Sequence, residues 1–137
     1  MDLLVSGVQE EASARRGDFY CLILYCESGN DALALAFQRA VGGAYGHPRA
    51  GTPAYCLVIA DHRSHYGGVR TITWTDAGFD IDLTDEACAG LKLADHRVIL
   101  RLDLPVECVA LVKEGLGRVF DPEPGNLPMP ELIGFEA

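Results

Sequence analysis

Val69 to Leu83 reads VRTITWTDAGFDIDL, and this stretch decides the fold class. Ile72 and Trp74 alternate with Thr71, Thr73 and Thr75, then Phe79, Ile81 and Leu83 alternate with Asp80 and Asp82. A period of two puts the apolar side chains on one face of a strand and the polar ones on the other. Asp76-Ala77-Gly78 between the two runs is tight-turn chemistry. The stretch is therefore a hairpin with one apolar face and one acidic, solvated face, the mark of an antiparallel sheet.

Working outward, Leu3 to Val8 and Phe19 to Cys26 read as strands, with Glu10 to Asp18 a polar loop between them. Ser28-Gly29-Asn30-Asp31 is a turn. In residues 32–39 alanine and leucine favour helix, yet Leu33, Leu35 and Phe37 alternate strictly after a hairpin turn, which predicts a strand pairing back on 19–26. Four glycines and a proline make 41–52 a loop. Tyr55 to Ala60 is a short strand, Asp61 to Ser64 a turn, and Tyr66-Gly67-Gly68 a bulge or a close backbone approach. Thr84 caps a short helix that ends near Leu91, with Asp85 and Glu86 in its first turn. His96 to Asp103 is a strand. Pro105 suits a helix first turn, and Cys108, Leu111, Val112, Gly115, Leu116 and Val119 recur at helical spacing up to Phe120.

These elements predict a single α+β domain over residues 1–120. Its sheet is mainly antiparallel, with a short helix and a longer C-terminal amphipathic helix packed on one face. Residues 121–137 form a Pro-rich tail (Pro122, Pro124, Pro128, Pro130) expected to hold no regular structure. Its Leu127, Met129, Leu132, Ile133 and Phe135 give it an apolar side with which to dock. The 137 residues suffice for a core without disulfide or metal. Cys21, Cys26, Cys56, Cys88 and Cys108 each sit in an apolar stretch with no C-x-x-C pair, as reduced core thiols do. No basic n-region with a long apolar segment opens the sequence and no apolar run approaches a membrane span, so a cytoplasmic protein is expected.

Eleven Lys and Arg against 20 Asp and Glu give a net charge of −9. Such a surface repels phosphate backbones and attracts basic partners. The ordinary explanation of an acidic surface is solubility. Chemistry-bearing motifs are scarce. Asp61, His62 and His65 with Cys56 upstream suggest a metal site, but a turn between strands sends His62 and His65 to opposite faces, and too few ligands converge. There is no nucleophile elbow, phosphate loop, dinucleotide fingerprint or zincin motif. Asp80 and Asp82 share a strand face, which acid–base catalysis and a solvated edge would both produce. No catalytic residue, cofactor or metal is assigned. For binding, Tyr66, Arg70, Trp74, Asp76, Asp80, Asp82, Asp85 and Glu86 lie along one hairpin and the helix start after it, and aromatics beside carboxylates suit a basic protein partner. Against this, Trp74 reads first as a core residue.

Three features resemble one family: the Tyr55-Cys56 strand leading to Tyr66-Gly67-Gly68-Val69, the hairpin ending at Leu83-Thr84 before an Ala-rich short helix, and Val98-Ile99-Leu100-Arg101-Leu102 running into a helix that closes at Val119-Phe120. Ala34 to Arg39 is similar to that family's strand ending in Gln-Arg. The stretch resembles the immunity protein 10 family of bacterial polymorphic toxin systems. The resemblance implies a protein that neutralises a cognate toxin by direct binding, with no catalytic residues of its own and no contact residues specified. A basic toxin fits the −9 charge, with steric occlusion of its active site as the mechanism. Two other readings stand beside it. One is a small hydrolase using Cys56 or His65. The other is a homo-oligomeric scaffold, and a homodimer is open to a toxin binder as well.

Overall fold

The structure is a computed structural model, and it describes residues 1–13, 19–29, 31–40, 55–59, 63–121 and 129–135. In chain order the elements are β1 (Asp2–Ser13), β2 (Phe19–Ser28), β3 (Asp31–Ala40), β4 (Tyr55–Ile59), β5 (Arg63–Tyr66), β6 (Val69–Trp74), β7 (Gly78–Leu83), α1 (Asp85–Gly90), β8 (Arg97–Leu102), α2 (Val106–Val119) and β9 (Glu131–Ile133). The strands form one nine-stranded sheet in the order β5-β4-β3-β2-β1-β8-β7-β6-β9. All pairs are antiparallel except β1 with β8 and β6 with β9. The fold is α+β, as the alternating patterns imply.

Alternation places Leu22, Leu24, Leu35, Phe37, Leu57, Phe79, Ile81 and Leu100 on one buried face. This face curls around the core. β3 and β7 stand four strand steps apart, about 19 Å in a flat sheet, yet the rings of Phe37 and Phe79 lie 6.3 Å apart. Phe120, from the end of α2, stands edge-on to both Phe37 and Tyr55, at 6.1 and 4.9 Å. Strand twist supplies the curl.

Both helices cover this inner face. α2 buries Val112, Leu116 and Val119. At Gly115 a Cβ would stand 2.6 Å from Tyr20 Oη and 2.9 Å from Leu22, so only glycine lets the helix approach so closely. Arg39 is fully buried, and its Nη1 donates to the carbonyls of Arg118 and Val119 at 3.1 Å each. It thereby satisfies the helix's last turn, where carbonyls lack intrahelical partners. α1 is capped at its start by Thr84, whose Oγ1 accepts from Ala87 N–H at 3.1 Å. Beyond its last turn Arg63 donates to the carbonyl of Leu91 at 3.1 Å.

The strand expectation for 32–39 holds, with β3 paired antiparallel to β2 across its whole length. Three expectations are corrected. The polar loop expected from Glu10 is strand as far as Ser13, because β2 offers a full ladder partner and Glu10 accepts a hydrogen bond from Tyr20 Oη at 2.7 Å. The turn expected over 61–64 is instead the edge strand β5 from Arg63 onward, paired to β4; 61 and 62 lie outside the described residues. The tail is not devoid of regular structure, since Glu131–Ile133 adds a parallel strand to the β6 edge. Pro130 stands just before β9, where no ladder donor is needed. Pro105 takes the N-cap position of α2. The loop expected over 41–52 lies outside the described residues.

Candidate protein-binding surface

The eight residues suggested as a binding surface do not gather at one place. Tyr66 projects from the outer face of β5 and is 63% exposed. Asp80 and Asp82 lie on the outer face of β7, opposite Thr73 and Thr71 of β6 and Ile99 and Arg97 of β8. Arg70, at a register shift between Val69 and Thr71, is exposed beside them. Asp85 and Glu86 open α1, where the helix dipole favours negative charge. Asp76 is exposed in the hairpin turn.

Trp74 differs from the rest. It is half-buried, stacked on Phe79 at 6.0 Å and edge-on to Phe135 at 5.6 Å, with Lys113 Nζ 5.5 Å above its ring. Most of its apolar surface is already used by its own chain, as the core reading implies.

The acids are not bare. Asp80 Oδ2 accepts from Arg97 Nη2, and Asp82 and Asp2 stand near the same guanidinium. The hydrogen bond to Asp80 holds Arg97 above its ordinary range. His96 Nε2 meets Asp85 Oδ1 in the same way. Sequence reading passed over Arg97. The signal lay in the spacing, since the strand pattern from His96 to Asp103 sets Arg97, Ile99 and Arg101 on the face opposite Val98 and Leu100.

Among the described residues no reacting constellation gathers. Cys56 and His65 sit on adjacent strands, but Cys56 pairs with the outward Tyr66 whereas His65 pairs with the inward Leu57. Alternation therefore points the thiol and the imidazole to opposite sides of the sheet. His65 packs inward, its Nδ1 3.2 Å from the Gly67 carbonyl and its ring against Gly90 of α1. Burial pushes the Cys21, Cys26 and Cys56 thiols up, away from the thiolate that nucleophilic chemistry needs. Among the described residues, no group of three or more His, Cys, Asp or Glu is placed to hold a metal ion. A cleft of about 240 Å³ at the β6–β7 turn is lined by Trp74, Thr75, Asp76, Ala77, Gly78, Leu102 and Val109. Its one titratable group, Asp76, has no acid–base partner there. Among the described residues no helix is long and apolar enough to cross a membrane.

The sequence profile of the Immunity protein 10 family matches residues 7–110, well over half of the chain. The chain belongs to that family. The match runs from β1 through the hairpin and α1 into the first turn of α2. No curated protein and no solved structure gives a significant match. Membership gives the protein an immunity role and, in general terms, a toxin as its counterpart.

Proposed function

We propose that this immunity protein holds a cognate toxin domain inactive by direct contact, covering the surface through which the toxin acts. The family match over residues 7–110 carries this reading. The net charge of −9 supports a basic toxin, and an acidic binder finds such a partner faster at low salt. The exposed acids Asp76, Asp85 and Glu86 and the part-buried Asp80 and Asp82 supply local field, with Tyr66 and Arg70 as contact groups and Trp74 bracing the hairpin from behind. The protein works in the cytoplasm, where its toxin would otherwise act.

The test is co-expression with the toxin domain encoded beside it, followed by purification and stopped-flow association at rising salt. The expected result is restored growth, a one-to-one complex, and an association rate that falls several-fold between low and physiological ionic strength. Growth arrest with no complex overturns the reading. A salt-independent rate removes the steering component.

A further inference from the structure

Among the described residues no helix lies on the outer face of β2, β3 and β4, and yet the face is apolar at its centre. Ile23 lies opposite Ala36, Ala36 opposite Val58, and Tyr25 opposite Ala34. Tyr25 is 44% exposed, and Leu4, opposite Glu27 on β1, is 36% exposed. The inner face of these same strands already holds the core, including Leu22, Leu24, Leu35, Phe37 and Leu57. None of the outward residues belongs to that inner core; Cys21 and Cys56 are buried at one end of the outer face, and Ile23, Ala34, Ala36 and Val58 are part-exposed. A solvated face of an antiparallel sheet ordinarily alternates to polar residues. Alanine is also a poor strand former, so Ala34 and Ala36 are not explained by strand preference. Small side chains at those two places leave a shallow floor beside the Tyr25 ring, whose Oη donates to Gln9 Oε1 at 2.7 Å and is thereby held in place.

The rim is polar and acidic. Glu11 and Glu27, both exposed, flank the apolar centre. Among the described residues of this face the nearest basic side chain is Arg101, which lies beyond Leu4. An aromatic and aliphatic centre with a charged rim is the anatomy of a protein-binding surface. The rim's sign selects the occupant. A second copy would bring like acids against like, whereas a basic protein would not.

We infer that the outer face of β2–β4, centred on Ile23, Tyr25 and Ala36, is where the cognate basic toxin docks. This rests on the immunity reading above and adds the surface to it. The acids around the hairpin and α1 steer the encounter, and this apolar floor holds the complex.

The experiment uses the full chain and the toxin domain that wild type neutralises. Ala36→Arg fills the floor without touching the core, and Tyr25→Ser trims an exposed ring should the arginine variant fail to fold. Glu114→Arg, on an exposed position of α2, makes a comparable charge change away from the face. Calorimetric titration is expected to show Kd weakened at least about tenfold by Ala36→Arg and by Tyr25→Ser, with melting temperatures near wild type. Glu114→Arg is expected to stay within about threefold. Folded Ala36→Arg and Tyr25→Ser chains that bind like wild type overturn the assignment of the face and leave the immunity reading standing. A wild-type dimer in light scattering that Ala36→Arg splits gives the face to a second copy, which also overturns it. Wild type that binds no toxin overturns the immunity reading itself.

Discussion

Val69 N–H donates to Tyr55 Oη at 3.0 Å, and the same hydroxyl lies 3.5 Å from the Val69 carbonyl. Tyr55 belongs to β4 and Val69 to β6, strands six steps apart in the sheet order. The Tyr55 ring also packs edge-on against Phe120. One side chain thus joins the two wings of the curled sheet and the end of α2. A second link, from Gly67 N–H to the Tyr55 carbonyl at 3.1 Å, fixes the same approach.

Tyr55→Phe keeps the ring and removes the acceptor for a buried N–H. The expected cost is about 1–3 kcal/mol, the penalty of leaving such a donor unmet. Urea unfolding checks it, and a midpoint equal to wild type would show that the closure does not depend on this hydroxyl.

Gly68 holds φ at +85°, and a Cβ there would stand 2.4 Å from the Cβ of Ala87. Gly68→Ala should therefore both strain the backbone and push α1 off the sheet, at a cost of roughly 2 kcal/mol or more. Gly29 also has positive φ but nothing within 4 Å, so Gly29→Ala isolates the backbone part and should cost about 1 kcal/mol. Paired thermal melts compare the two.

Trp74 is the sole tryptophan, so its fluorescence reports one corner of the fold. Phe135 of the C-terminal segment stands edge-on to it. Phe135→Ala should shift the emission to the red and lower stability by about 1 kcal/mol. An unchanged spectrum would mean that the segment does not shelter the indole.

The buried thiols predict an alkaline limit. Burial pushes Cys26 up to about 11 and raises Cys21 and Cys56 in the same direction. An unfolded thiol titrates near about 8.5. Above that pH the unfolded chain sheds protons that the folded chain keeps, so stability present below pH about 8.5 is lost as pH climbs toward 11. Cys26 alone should account for about 3 kcal/mol of that loss. Urea midpoints under reducing conditions are expected to hold from pH 7 to 8.5 and fall beyond it, with a shallower fall in Cys26→Ala.

How much was legible follows from the range of the signal. Alternation named β3, β6, β7 and β8, because a strand's two faces are written into neighbouring residues, and the run of aromatic and branched residues over 19–26 named β2. The Thr84 cap was equally local. The acids were found as residues, but their surroundings were not: Arg97 lies 17 residues from Asp80 in sequence and pairs with it only because β7 and β8 are adjacent. Trp74 read as core for a sound reason, its phase with Ile72. Tyr25 drew no notice, since an aromatic in an apolar strand reads as core until parity is fixed by the partners of that strand.

The sequence by itself determined the strand and helix types, the inner faces of the alternating strands, the cap of α1 and the absence of motif chemistry. Each of these is a pattern over fewer than about 15 residues, where periodicity and side-chain chemistry act directly. Tertiary structure alone decided that β1 runs on to Ser13, that Glu131–Ile133 adds an edge strand to β6, and that Tyr55 closes on Val69. It also decided that Cys56 and His65 part company and that Ile23, Tyr25 and Ala36 share one outer face. The physical reason is common to all of them: a backbone ladder or a side-chain contact between distant segments depends on which strands become neighbours, and no local pattern encodes that choice.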